Sequence, residues 1–246
     1  MKSRRFVIAA DNHGQEIDPI VETKFFEWLK DWKPQVRIHA GDLWDFSPLR
    51  NGASQEDKAE SMCEDYRMGT DFAKRLFAGG EEKHLLLGNH DQRLWDLLHK
   101  TDGVLRDFAA QKTGEIKNRM AQWGVKTYPY DARLGVCKIG HMQVIHGFRA
   151  GIGAAKAHAT IYRNCIFGHT HSQDIVPVEN LEGPALAMGT GCMCVIDMPY
   201  NSRQTNKLRH QQGWVYGMLY EDGTYQAFQA KRVGDSFHLC HDIKTY

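Results

Sequence analysis

The chain has 246 residues, a formal net charge of +1, and 42% hydrophobic and 25% charged residues. The composition is that of an ordinary globular protein, and the length is compatible with one large domain or two small ones. The near-zero charge excludes a global pull toward nucleic acid or a membrane surface, and no apolar run approaches a bilayer span. Lys2, Arg4 and Arg5 precede an apolar stretch too short for a signal peptide. The six cysteines form no Cys-x-x-Cys pair. They read as reduced thiols of a cytoplasmic protein.

Residues 5–10 form the first predicted strand, Phe6-Val7-Ile8-Ala9-Ala10, and end in Asp11-Asn12-His13-Gly14. A helix follows over 16–32, with Ile17, Ile20, Val21, Phe25, Trp28, Leu29 and Trp32 at helical spacing, and Pro34 ends it. The second strand, 35–40, runs into Gly41-Asp42 and Asp45. Its Arg37 and His39 predict that one side of the sheet is less covered. Ser54 starts a helix that continues through Met62, Tyr66, Phe72, Leu76 and Phe77, is interrupted at Gly69, and closes at Gly79-Gly80. Leu85-Leu86-Leu87 reads as a strand buried on both faces. It ends in Gly88-Asn89-His90-Asp91, and helices follow over 93–100 and 103–122.

Residues 125–146 predict strands around a turn at Leu134-Gly135, ending in His146-Gly147, and 151–162 a short helix. Cys165-Ile166-Phe167 then delivers Gly168-His169-Thr170-His171. Beyond it the runs 175–178, 185–188, 195–198, 214–220 and 225–231 have strand composition, with a hairpin turn at Glu221-Asp222-Gly223. They predict a β-rich second layer. The segment 199–212 reads as a loop carrying Arg203, Lys207, Arg209 and His210, which leaves nucleic-acid contact open.

Five short apolar runs therefore each end in metal-type ligands. In open α/β sheets, sites form at the carboxyl ends of strands, so one edge would collect Asp, His and Asn side chains in a single cluster. Such a mixed set suits borderline-to-hard divalent ions. It holds too many ligands for one ion, whereas two ions roughly 3.5–4 Å apart would use them all if one carboxylate bridges. His39 reads as structural, His84 and His99 as solvent-facing, and His141 as a weaker candidate than His146, which sits at the strand end.

The set Asp11-x-His13, Gly41-Asp42-x-x-Asp45, Gly88-Asn89-His90-Asp91, His146-Gly147 and Gly168-His169-Thr170-His171 resembles the five motifs of the calcineurin-like metallophosphoesterases, in the family's order. The resemblance implies one α/β domain over 1–246, a four-layer α/β/β/α sandwich of two mixed sheets flanked by helices. It implies that Asp11, His13 and His171 hold one ion, that Asn89, His146 and His169 hold the other, and that Asp42 bridges. The ions would be Mn²⁺, with Fe, Zn and Ni as alternatives, and a bridging water would be the nucleophile. His90 would assist the leaving group, Asp91 would orient His90, and Asp45 would support the ligands from outside.

Arg93 and Arg149 are candidate phosphate contacts. For Arg149 the loop 148–153 would add backbone amides. The activity implied is phosphoester hydrolysis, with phosphodiesters (nucleic acid or nucleotide) as the favoured substrates. A phosphomonoesterase is the alternative, and a catalytically inactive binding module is the third reading. Phe46 and Asp91 depart from the Arg and Glu that serine/threonine protein phosphatases carry at these positions.

Overall fold

The computed structural model describes residues 3–100, 103–179, 181, 183–197 and 205–240. The strands are β1 (Ser3–Ala9), β2 (Val36–His39), β3 (Glu82–Leu86), β4 (Lys126–Tyr128), β5 (Cys137–Ile139), β6 (Met142–Ile145), β7 (Cys165–Phe167), β8 (Ile175–Val178), β9 (Ala185–Gly189), β10 (Gly213–Tyr220), β11 (Tyr225–Val233) and β12 (Ser236–His238). The helices are α1 (Pro19–Trp32), α2 (Gln55–Ala59), α3 (Met62–Phe77), α4 (Asn89–Lys100), α5 (Gly103–Gln122) and α6 (Ala154–Tyr162).

Two mixed sheets result. The first has the order β12-β11-β10-β1-β2-β3-β4, and the second β5-β6-β7-β9-β8. β1 through β4 run parallel to one another, while β10 joins β1 antiparallel in the register Phe6 to Gly217. The strands after His171 therefore do not form one layer. β8 and β9 complete the second sheet, and β10 to β12 return to extend the first. The turn expected at Leu134-Gly135 is a crossing between sheets, and the hairpin lies at Gly140-His141 instead. Residues 195–197 are not a strand, and Met198 lies outside the described residues.

Alternation along β1 explains the layers. Phe6, Ile8 and Ala10 face the second sheet and pack on Val144, Ile166 and Met188. Val7 and Ala9 face the other way, against the helical side that holds Phe25, Trp28, Phe72 and Leu94. A third core joins Ile145, Phe167 and Ala187 of the second sheet to Ala155 and Ala159 of α6. Three cores separate four layers, so the expected α/β/β/α order is present. Both sides of the first sheet are covered. His39 is fully buried against Asn12 Oδ1 at 2.6 Å, and Arg37 donates to Leu76 O at 2.8 Å. His84 is buried rather than solvent-facing, because Tyr128 Oη and Glu82 Oε1 take its two ring nitrogens at 3.1 and 3.0 Å. His99 and His141 are exposed.

Local chemistry sets the helix ends. Asp18 caps α1 by accepting from Ile20 and Val21 N–H at 2.9 and 3.1 Å, with Pro19 in the first turn. Ser54 and Asp57 cap α2 reciprocally. The expected single helix over this region breaks at Glu60-Ser61, where Ser61 caps a new helix, and Gly69 continues α3 without interruption.

Gly69 is there for close approach. A Cβ at this position would lie 2.4 Å from Trp44 Cδ1 and 2.9 Å from Leu43 O. Alanine gains about 1 kcal/mol of helix propensity over glycine, but overpacking a dense core costs about 1–3 kcal/mol. Trp44 is fully buried between stacked Phe46 and Tyr66 and has little room to yield. Gly69→Ala is therefore expected to lower the melting temperature in thermal denaturation. An unchanged or raised value would show that Trp44 yields freely.

Among the described residues no helix is long and apolar enough to cross a membrane. All six cysteines are unbridged.

Candidate metal centre

The parallel strands of both sheets end at one place, and the turns beyond them interlock. Asp11 N–H donates to Gly41 O at 3.0 Å, and His169 N–H donates to both Asp11 carboxylate oxygens at 3.0 Å. His146 Nδ1–H donates to Ala40 O at 2.9 Å. The motif glycines permit this crowding. A Cβ at Gly88 would sit 2.1 Å from Asp42 Oδ1, and one at Gly168 would sit 2.6 Å from Asp11 Oδ2.

Backbone conformation marks the same residues. Asp11 (φ 56°), His13 (50°), Asp42 (51°), His169 (67°) and His171 (53°) all lie in the left-handed region. For a non-glycine residue this costs about 1–2 kcal/mol each, and such strain concentrates at functional sites. Most of the non-glycine left-handed residues described are thus candidate ligands, while Lys33 merely ends α1.

Six of the seven predicted metal residues are linked by short distances. His13 Nε2 lies 3.1 Å from His171 Nε2 and 3.9 Å from Asp42 Oδ2. His171 Nε2 lies 3.5 Å from Asp11 Oδ1. His146 Nε2 lies 3.3 Å from Asp42 Oδ2 and 3.0 Å from Asn89 Oδ1. The seventh, His169, has its ring 5.2 Å from that of His146. Donor atoms of His13, Asp42 and His90 lie within 4.8 Å of one another, as do those of Asp42, His146 and His169. Asp42 is common to both sets.

Facing imidazole nitrogens, with carboxylates between them and almost no access to solvent, make a donor set that fits divalent cations. Charge tells the same story. Burial alone would push the Asp42 carboxyl up, but His146 and His90 beside it hold it well below the usual carboxylate range. The same contest pushes His146 up to about 9 against its own burial, with Asp42 the main cause, while burial and the neighbouring His146 push His169 down to about 4.

Asp45 stands beside a candidate ligand, as expected, and also takes the place expected of Asp91. Asp45, not Asp91, touches His90: its Oδ1 accepts from His90 Nδ1 at 2.6 Å and from His13 Nδ1 at 2.7 Å. Asp91 is spent on the backbone. It accepts from Gly88 N–H and Trp44 N–H, both at 2.8 Å, and so ties the second and third motif loops together. Burial and the Asp42 carboxylate push Asp91 up to about 7.

Arg93 belongs to the site. Its guanidinium donates to Asp45 O at 2.7 Å and lies 3.3 Å from His90 Nε2. Arg149 is exposed. Two amides of its loop are taken, because Phe148 and Arg149 N–H both donate to His158 Nε2, at 3.1 and 3.2 Å.

Several residues of the site gave no sequence signal of their role. His158 holds the loop after His146. Asp65 on α3 accepts from Asp45 and Phe46 N–H at 3.1 Å and anchors the second motif. His210 brings its ring 4.9 Å from that of His171. Its place in a basic loop was visible, but not that Gln211 N–H pins the loop to His171 O at 2.7 Å. Arg203 lies outside the described residues, as does the side chain of Lys207.

No family model matches the chain. The Gene 54 protein of Mycobacterium phage D29 is 28% identical over 189 residues, covering 71% of this chain and 72% of that protein. Among solved structures, an archaeal phosphodiesterase covers 92% of this chain and 99% of its own at 15% identity and a TM-score of 0.43. A phosphoesterase of E. coli covers 89% of each at 16% identity and 0.38. Vacuolar protein sorting 29 of Cryptosporidium parvum covers 94% and 98% at 14% identity and 0.44. At such values these are likenesses only, and the chemistry rests on this chain's own residues. In its four layers, the order of its five motifs and the convergence of their side chains, the chain resembles the calcineurin-like metallophosphoesterases.

Proposed function

We propose that the protein is a dinuclear-metal phosphoester hydrolase with phosphodiesters as its substrates. The observation that carries this reading is Asp42, a buried carboxylate common to two groups of donor atoms. Asp11, His13 and His171 would hold one divalent ion, Asn89, His146 and His169 the other, and Asp42 would bridge. Mn²⁺ suits this donor set, as do Fe, Zn and Ni. When bound, the ions supply charge neutralisation at phosphorus and an acidified water as nucleophile.

The chain's own groups do the rest. Asp45 fixes the His90 ring through Nδ1, which leaves Nε2 to carry a proton to the departing oxygen. Arg93 stands beside that nitrogen, where negative charge develops on the leaving side. Asp91 and Asp65 act on the backbone that presents these groups.

The diester preference rests on charge. A phosphomonoester carries a second negative charge, which a further cation would have to match. The residue where protein phosphatases place an arginine is Phe46, buried against Trp44. Arg93 serves the leaving side, and Arg50 is paired with Asp57. One paired assay tests this on a Mn²⁺-loaded preparation, with bis-(p-nitrophenyl) phosphate and p-nitrophenyl phosphate. The diester is expected to turn over faster. Monoester cleavage alone would move the protein to the phosphatases, and DNA, RNA and cyclic nucleotides then divide the diester class.

A further inference from the structure

The imidazoles of the site are not all supported alike. His13 and His90 turn Nδ1 to a carboxylate, at 2.7 and 2.6 Å, and His146 turns Nδ1 to a carbonyl, at 2.9 Å. His171 turns its Nδ1 to sulfur: Cys194 Sγ lies 3.9 Å away. The opposite nitrogen, Nε2, faces His13 and Asp11. Cys194 Sγ lies within 4.8 Å of ligand atoms of both His13 and His171, but it approaches His171 at Nδ1. A ring cannot aim both nitrogens at one ion, so with Nε2 on the ion the thiol is an outer partner of His171.

The sulfur's position is built in. Cys192 and Cys194 are fully buried and form a small core of their own with Val195. Met193 and Cys194 N–H both donate to Asp11 O at 3.1 Å. Gln212 Nε2 donates to Cys194 O at 2.6 Å, and Cys192 N–H donates to Gln211 O at 2.9 Å. The segment that carries the thiol is therefore fastened to the main chain of one candidate ligand while it touches the ring of another.

We infer that Cys194 is a positioning residue for His171, a sulfur partner that sets the orientation of one metal-binding imidazole where its counterparts use oxygen. This rests on the dinuclear reading above. A ligating histidine is oriented and made more basic by whatever its second nitrogen bonds, and loss of such a partner costs about 10–100-fold in metal affinity. A thiol is a longer and weaker partner than a carboxylate. The ion held by His171 is thus the one more easily exchanged.

The test is a titration of the metal-free, full-length protein with Co²⁺, read by its visible spectrum, for wild type, Cys194→Ala, Cys194→Val and Cys165→Ala. Cys165 is an equally buried thiol on β7, in the outer core. Cys194→Val leaves no cavity and removes the partner. The inference predicts that both Cys194 variants bind one of two ions about 10–100-fold more weakly, with an altered ligand-field spectrum. Cys165→Ala is expected to shift only the melting temperature. Cys194 variants that titrate like Cys165→Ala would overturn the inference. So would an intense sulfur-to-cobalt charge-transfer band in the wild type, which would make Cys194 a ligand. A wild type that takes up no Co²⁺ would instead bring down the dinuclear reading itself.

Discussion

Replacing His90 by alanine is expected to lower turnover of the preferred ester about 10²–10⁴-fold, the span of a positioned acid, and to leave metal content unchanged. The two halves of that expectation come from different contacts. His90 Nδ1 is committed to Asp45, and Asp45 keeps its bond to His13 when His90 is gone, so the ligand frame stays supported. His90 N–H donates to Asp42 Oδ1 at 2.8 Å through the main chain, a bond that alanine retains. Steady-state kinetics and elemental analysis on the same sample check both halves. A variant that loses metal would make His90 a ligand. A variant with full turnover would leave the leaving group without an acid.

Asp42→Asn is the larger lesion. The substitution keeps shape and removes the charge that His146, His90 and His13 all surround. Asparagine's amide nitrogen cannot ligate, so at most one oxygen remains for two ions. The expected loss of affinity exceeds the about 10–100-fold that follows from losing an outer partner, and activity is expected to fall to background at ordinary metal concentrations. Calorimetric titration with Mn²⁺ measures it. Two ions bound as tightly as in wild type would remove Asp42 from the bridge.

Much of this site was legible in the sequence because a strand's carboxyl end is a local signal. An apolar run, a glycine and a polar triplet announce a turn at a sheet edge, and five such runs announce a shared edge. What could not be read were the pairings between turns. Asp91 directly follows a motif histidine and Asp45 does not, and only the fold decides that Asp45 meets His90 while Asp91 meets Gly88 and Trp44. The return of β10 to β1 has the same character. Strand composition was visible at 214–220, but the partner strand lies more than two hundred residues back, so nothing local placed it in the first sheet. Gly69 misled because a helix glycine signals a break, whereas its cause is Trp44 on another segment. His84 looked exposed because its partners are a neighbour on its own strand and Tyr128 of the next. Cys194 carried no metal-type spacing at all, since it supports a ligand from behind.

The central claim is that these side chains hold two ions at once, and the most direct measurement is metal stoichiometry. The metal-free protein would be titrated with Mn²⁺, and the tightly bound metal per chain counted after removal of the excess. Two equivalents per chain, falling in Asp42→Asn, are predicted. One equivalent in the wild type, or none, would contradict the account.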